Sequence, residues 1–246
     1  MPDGRGPTQT LAQSLDYLPD QFAAQLARGP LPRRLEYDHG TMDTFADVPT
    51  TTLADVLSRE NIMDLGIRPL TTTSPRLAGP AFTVRCPPGD NLMVHAAIYR
   101  AGPGSVIVVD TGGDVDFAVA GGNVMAVAQR HGVAGLVVDG VIRDLAEARD
   151  AGFPVYARGN VPIPGTKKAI GAHNVPVRCG GVTVQAGDIV VADEEGIVVV
   201  PAARRDEVFT AARAKLAKDE AETLEEWERA HRARIDKALA ELGFEG

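Results

Sequence analysis

The sequence predicts an α/β domain whose sheet contains parallel strands, followed by a small antiparallel, barrel-like part and a long C-terminal helix. Three observations carry this. Short Val- and Ile-rich runs alternate with helical patterns between residues 81 and 150. After Gly152 the texture turns to short strands punctuated by Gly, Pro and Asp. From Arg204 to Leu242 a charged amphipathic pattern takes over.

In chain order, residues 1–49 read as an N-terminal extension, with a weak helical pattern over Leu11 to Ala27 that stops at Gly29-Pro30-Leu31-Pro32. Thr52-Leu53-Ala54-Asp55 fits a capping box before a short helix through Arg59. Ala81–Cys86 reads as a strand closed by Pro87-Pro88-Gly89. Asp90 then caps a helix with Leu92, Ala96 and Tyr99 on one face. Val106–Val109 is apolar throughout, as a strand buried on both faces must be, and ends at Asp110-Thr111-Gly112-Gly113. Gly121-Gly122-Asn123 opens a helix from about Val124 to Arg130. Leu136-Val137-Val138 is the next buried strand, broken at Asp139-Gly140, and helical periodicity resumes at Leu145. Three β-then-α units in a row require parallel pairing.

Phe153–Ala157, Val175–Arg178, Val182–Gln185, Ile189–Ala192 and Ile197–Val200 are short strands, with turn signals at Gly187-Asp188 and Glu195-Gly196. No helix has room among them. In the tail, Val208, Ala212, Leu216, Leu224, Trp227, Ile235 and Leu239 keep an apolar stripe, which suits a helix that reaches over a neighbouring subunit. The division is therefore 1–49, 50–203 and 204–246.

Composition narrows the function. Of 246 residues 44% are hydrophobic but only 5% aromatic, so the core is built from Val, Ala, Leu and Ile. A net charge of −8 argues against nucleic acid or an anionic membrane as partner. Cys86 and Cys179 stand far apart with no metal-ligand spacing, which fits a reducing cytosol. No signal-like or membrane-spanning apolar run occurs, so a soluble cytoplasmic protein is expected. The five histidines show no HxH or HExxH spacing. Walker A, GxGxxG and nucleophile-elbow sequences are also missing.

Two helix starts remain. Gly121-Gly122-Asn123-Val124 either makes a tight turn needing positive φ or exposes N–H groups to an anion. Arg143-Asp144-Leu145-Ala146-Glu147 either is a capping box, Asp144 with Glu147, or a ligand site. Adjacent parallel strands would bring both starts to one edge of the sheet, where α/β proteins collect ligands. A guanidinium matches a carboxylate, and a carboxylate suits a hard divalent cation. Asp110, Asp114 and Asp116 either join that crevice or form turns, and Lys167-Lys168 reads as a solvated loop.

The run from Gly121 through Gly159 resembles the RraA-like family, which includes 4-hydroxy-4-methyl-2-oxoglutarate aldolases and regulators of ribonuclease E activity. The likeness extends through Asn174–Val177, Gly181–Val184, Ala186–Asp188 and Ala192–Pro201, covering roughly residues 50–220. It implies a three-layer α/β/β fold and a homotrimer or hexamer with sites at subunit interfaces. It implies that Asp144 holds a divalent metal, Mg²⁺ or Mn²⁺, that Arg143 binds a small 2-oxo acid, and that the amides of Gly121, Gly122, Asn123 and Val124 receive its carboxylate. Glu220, from a neighbour's C-terminal helix, is the nearest match to a further catalytic Glu. Family aldolases carry an Asp twenty intervening residues before the Arg-Asp pair, and this chain has Gly122 there. The groups that stabilise a pyruvate enolate are thus present, while a carboxylate that could serve deprotonation is missing from its usual position. The resemblance implies a metal-dependent lyase, an aldolase or an oxaloacetate decarboxylase; the alternative is a protein-binding regulator of a ribonuclease.

Overall fold

The structure, a computed structural model, describes residues 45–70 and 76–244. The chain divides into a unit of residues 1–36, outside the described residues, and a unit of 37–246, to which all that follows refers. The helical pattern over Leu11 to Ala27 lies outside the described residues.

Helix α1 (Thr50–Val56) comes first, then strands β1 (Arg68–Pro69) and β2 (Leu77–Arg85). Three units follow: α2 (Leu92–Ala97) to β3 (Val106–Asp110), α3 (Gly122–Arg130) to β4 (Gly135–Ile142), and α4 (Leu145–Asp150) to β5 (Val155–Asn160). Strands β2, β3, β4 and β5 are mutually parallel, as the alternation of patterns requires. The antiparallel part comprises β6 (Ala172–His173), β7 (Val177–Cys179), β8 (Val182–Val184), β9 (Ile189–Ala192) and β10 (Ile197–Val200). Helices α5 (Arg205–Ala221) and α6 (Leu224–Glu241) close the chain.

The main sheet runs β1-β5-β4-β3-β2-β9-β10, and β7-β8 forms a separate hairpin. Strand β2 joins the two characters of the sheet. Its first half, Leu77–Pro80, pairs antiparallel with β9, and Ala81–Arg85 pairs parallel with β3. The sheet curls into a half-barrel. Successive side chains on a strand point to opposite faces, so each core strand feeds two apolar layers. Ile107, Val109, Leu136 and Val138 pack beneath α2, α3 and α4. Val106, Val108, Val137 and Tyr156 fill the barrel interior with Val177, Val184, Val190 and Val199. The outer face of β9–β10 buries Val191, Val198 and Val200 against Phe45, Leu53 of α1, and Val208 and Ala212 of α5.

Three sequence expectations change. Asp139-Gly140 does not end β4, which continues to Ile142 with an irregularity between Val138 and Val141. Asp139 is tolerated in a buried strand because it accepts from Arg158 Nε (2.5 Å) and Gly180 N–H (2.8 Å). Gly140 is there for space, since a Cβ would stand 2.7 Å from Thr111 Oγ1. The capping box at Thr52–Asp55 is not made either. The helix starts at Thr50, and the cap arrives from the distant Asp193, whose carboxylate accepts from Thr50 N–H (2.9 Å) and Oγ1 (2.5 Å). The tail is two helices, with the long C-terminal α6 separated from α5 at Glu222-Thr223. Thr223 and Glu226 form a true capping box.

Candidate functional site

Strands β3 and β4 are neighbours in parallel register, from Val106↔Gly135 to Asp110↔Asp139, so the turns leaving them face each other. Ala118 to Ala120 is held between them and the loop after β5. Val119 N–H donates to Val141 O (3.0 Å), Ala118 N–H to Ile163 O (2.8 Å) and Arg143 N–H to Ala120 O (2.9 Å). The start of α3 and the Arg143-Asp144 pair are thereby locked together.

The local geometry removes the positive-φ reading of the glycines and the capping-box reading of Asp144. Gly121 has φ −143° and Gly122 is the first helical residue, so neither needs positive φ. Both are glycines because of close approach. A Cβ on Gly121 would stand 2.5 Å from Asp144 Oδ2 and 3.0 Å from Arg143 Nε. A Cβ on Gly122 would fall within the Glu147 carboxylate. Asp144 occupies the N-cap position of α4 with φ 59° and ψ 45°, left-handed backbone that costs a non-glycine residue roughly 1 kcal/mol or more. It makes no capping hydrogen bond with its side chain. Its Oδ2 accepts instead from Gly122 N–H (3.0 Å) and lies 3.5 Å from Arg143 Nε. The capping-box reading of Asp144 and Glu147 is therefore set aside. The Asp144 carboxylate thus satisfies a first-turn amide of α3 rather than one of its own helix.

At α3, Gly122 N–H is taken by Asp144, and Met125 N–H bonds to Gly121 O (3.0 Å). Among the described residues the first-turn amides of Asn123 and Val124 have no backbone acceptor. Arg143 and Asp144 keep 41% and 38% of their side-chain surface exposed, so both remain available to a small ligand.

Two neighbours were not among the residues expected at the site. His95 on α2 has its pKa lowered to about 4 by burial, then by the positive charges of Lys167 and Arg143, with Asp90 opposing. It is a neutral imidazole at pH 7. Lys167 sits on a loop pinned by Asp90 rather than a free one. Asp90 Oδ2 accepts from Thr166 Oγ1 (2.8 Å), Lys168 N–H (2.6 Å) and Ala169 N–H (3.1 Å). The expectation of a solvated loop at Lys167-Lys168 thus holds, with the loop backbone tied to Asp90.

Other candidates fall elsewhere. Asp114 is a turn former, accepting from Gly89 N–H (2.5 Å) and Asp116 N–H (2.8 Å). Asp110 and Asp139 face the barrel mouth, where Asp64, Arg158 and Arg178 line a recess of about 610 Å³. Arg158 is engaged there by Asp139 and Asp64. The Arg143–Asp144 group does not line that recess; it lies on the helix-covered side of the sheet. Glu220 lies at the exposed end of α5, which packs on the β9–β10 side, so one chain does not bring it to Arg143. Burial pushes the Cys86 thiol up to about 12 and Cys179 well above its ordinary value, leaving no thiolate nucleophile in either. Among the described residues no group of three or more His, Cys, Asp and Glu could hold a metal ion, and no helix is long and apolar enough to cross a membrane.

A curled α/β half-barrel with a charged pair at the start of α4 is one class of fold and site. The RraA-like family model, described as Aldolase/RraA, matches residues 50–199. The chain belongs to the RraA-like family. It is 41% identical over 177 residues, 72% of this chain and 84% of the relative, to a Halalkalibacterium halodurans protein provisionally named a 4-hydroxy-4-methyl-2-oxoglutarate aldolase. Solved structures it resembles include an RNA-processing inhibitor RraA from Thermus thermophilis, with TM-score 0.58 and 32% identity over 63% of this chain and 93% of that one. Another is Streptomyces coelicolor RraAS2, described as an unusual member of the RNase ES inhibitor RraA family, with TM-score 0.68 and 29% identity over 78% of this chain and 98% of that one.

Proposed function

We propose that this protein is an aldolase-type lyase that breaks a C–C bond of a 2-oxo acid and releases pyruvate. The observation that carries this is the convergence of three groups on one helix start: the Arg143 guanidinium, the Asp144 carboxylate and the open amides of Asn123 and Val124. The name of the Halalkalibacterium relative supports the same reading.

The donor chemistry fits a divalent cation of the Mg²⁺ or Mn²⁺ kind. Such ions are held by one or two carboxylates while keeping waters and taking substrate oxygens. Asp144 offers a half-exposed carboxylate whose Oδ2 is fixed by Gly122, leaving Oδ1 for a ligand. Bound there, the ion would supply Lewis-acid charge to the 2-oxo group. The remaining work belongs to the chain. Asn123 and Val124 amides receive the substrate carboxylate, and the α3 N-terminus favours its charge. Arg143 holds the oxo end by charge-assisted hydrogen bonds and stabilises the negative charge that develops on oxygen as the pyruvate enolate leaves. Decarboxylation of oxaloacetate needs no more than this, and aldol cleavage also needs a base for the C4 hydroxyl.

The group opens to solvent on its outer side, which suits a site completed at the interface of a homotrimer or hexamer, with Glu220 of the partner subunit approaching it. The test is a panel of 2-oxo acids, including 4-hydroxy-4-methyl-2-oxoglutarate and oxaloacetate, assayed for pyruvate with and without Mg²⁺. Metal-dependent pyruvate release supports the proposal, and its absence across the panel contradicts it.

A second reading, a protein that restrains a ribonuclease by contact, is favoured by the structural likeness to the Thermus and Streptomyces RraA proteins. Capture of a ribonuclease from lysate together with slowed RNA decay, and no pyruvate, would favour it.

A further inference from the structure

The recess at the barrel mouth opens at the carboxyl ends of β3 and β4, on the barrel side of the sheet and away from Arg143 and Asp144. Its three carboxylates are already committed. Asp139 accepts from Arg158 Nε on Oδ1 and from Gly180 N–H on Oδ2. Asp64 accepts from Gly66 N–H (2.7 Å) on Oδ1 and from Arg158 Nη2 (3.2 Å) on Oδ2. Asp110 accepts from Gly112 N–H (2.9 Å) on Oδ1 and from Arg178 N–H (3.2 Å) on Oδ2. The hydrogen bond from Arg158 holds the Asp64 carboxyl below its usual range, so it stays ionised at pH 7.

What remains unused is donors. The Arg178 side chain lines the recess from the exposed face of β7. Among the described residues its guanidinium has neither a carboxylate nor a hydrogen-bond partner; only its backbone N–H is taken, by Asp110. Gly113 and Gly181 also line the recess, and a Cβ on either would meet nothing within 4 Å. Their N–H groups have no backbone acceptor among the described residues. The charges are polarised as well. Asp110 is offset by Arg85, whose Nε lies 3.9 Å from Oδ2, so the Arg178 charge is unmatched. At the other end Arg158 alone faces both Asp64 and Asp139.

We propose that this recess is a second binding site, for a small monocarboxylate held on the Arg178 guanidinium. The planar fork of Arg178 matches a carboxylate with two parallel hydrogen bonds. The surplus negative charge of Asp64 and Asp139 disfavours a phosphate dianion. A volume of about 610 Å³ lined only by Asp, Arg and Gly suits a small polar acid and offers nothing to an apolar one. The inference stands independently of the lyase reading.

The experiment follows binding of sodium acetate, with inorganic phosphate as competitor, by saturation-transfer NMR on the full chain in about 0.15 M NaCl, where exposed charges are screened. Arg143→Ala supplies a background from which carboxylate binding at the α3 start is removed. Acetate should still bind that variant, and phosphate should compete at least about tenfold more weakly than acetate competes with itself. Adding Arg178→Gln should weaken acetate at least about tenfold, the equivalent of one charged hydrogen bond. Tm should move by less than about 2 °C, because the exposed guanidinium carries no partner and the N–H to Asp110 is kept. Gly113→Asp is an independent variant: Asp tolerates left-handed backbone, and its carboxylate would compete for Arg178 and weaken acetate to a similar extent. Loss of all acetate binding in folded Arg143→Ala would overturn the proposal. So would undiminished binding after Arg178→Gln, or phosphate binding as tightly as acetate.

Discussion

Replacing Gly121 by Ala separates function from stability at this site. The backbone there is extended, φ −143° and ψ −178°, which Ala adopts without strain. The cost of Ala at an N-cap is about 1 kcal/mol and the reduced freedom of the unfolded chain returns about 0.4–1 kcal/mol, so net stability should change by under about 1 kcal/mol. For a chain of this size that is a Tm shift of at most about 2–4 °C. The added methyl, however, would stand 2.5 Å from Asp144 Oδ2 and 3.1 Å from Arg143 Cγ. Ordinary contact needs about 3.4 Å, so the Asp144 carboxylate must retreat by roughly 0.9 Å and lose its bond to Gly122 N–H. A displacement of that size in a positioning group costs about 10²-fold in rate. Steady-state pyruvate release and a thermal melt on the same preparation make the comparison. Wild-type kcat/KM in a Gly121→Ala protein of unchanged Tm would refute the reasoning, because the locked geometry would then be irrelevant to turnover.

Two further outcomes concern titration. The His95 imidazole should titrate near pH 4 by NMR, far below its ordinary value of 6.5; a midpoint near 6.5 would mean that its burial is not maintained in solution. Because the folded value lies below the unfolded one, the stability tied to neutral His95 is intact above about pH 6.5 and is lost as pH falls from there towards 4. Burial alone would raise Asp90, but hydrogen bonds from Lys168, Leu92, Thr166 and Ala169 outweigh it and hold the carboxyl below its usual range. Its contribution is therefore present above about pH 4 and disappears as pH falls through the lower folded value. Asp90→Asn should lower Tm at pH 7 by about 4–8 °C, for a loss of about 2 kcal/mol in charged hydrogen bonds, and should flatten the fall of Tm below pH 4. An unchanged acid limb would count against this role.

What was legible in the sequence followed from burial. Val106–Val109 and Ile197–Val200 are apolar without alternation, so their strands stand out whatever packs on them. The two helix starts could be placed at one sheet edge because alternating β and α patterns permit little else. What was not legible depends on distant partners. Asp139-Gly140 looks like a turn until Arg158 and Gly180 supply the aspartate's hydrogen bonds from other elements. The break before α6 is signalled by Thr223 and Glu226, but the apolar stripe running past it dominates a reading by periodicity. At the site, Arg143, Asp144 and the glycines could be named, whereas Glu147 over Gly122 and His95 within the field of Arg143 exist only once the chain is folded.

The central claim, that Asp144 and Arg143 form a metal-assisted site for 2-oxo acid cleavage, is tested most directly with Asp144→Asn. Asn tolerates left-handed backbone and can still accept from Gly122 N–H, so the fold and Tm should be retained while the charge is lost. Wild type should release pyruvate with Mg²⁺ and stop on adding EDTA, and Asp144→Asn with Mg²⁺ should release at least about 100-fold less than wild type with Mg²⁺. A folded Asp144→Asn protein that, with EDTA present, still releases pyruvate at the rate of wild type with Mg²⁺ would contradict the account.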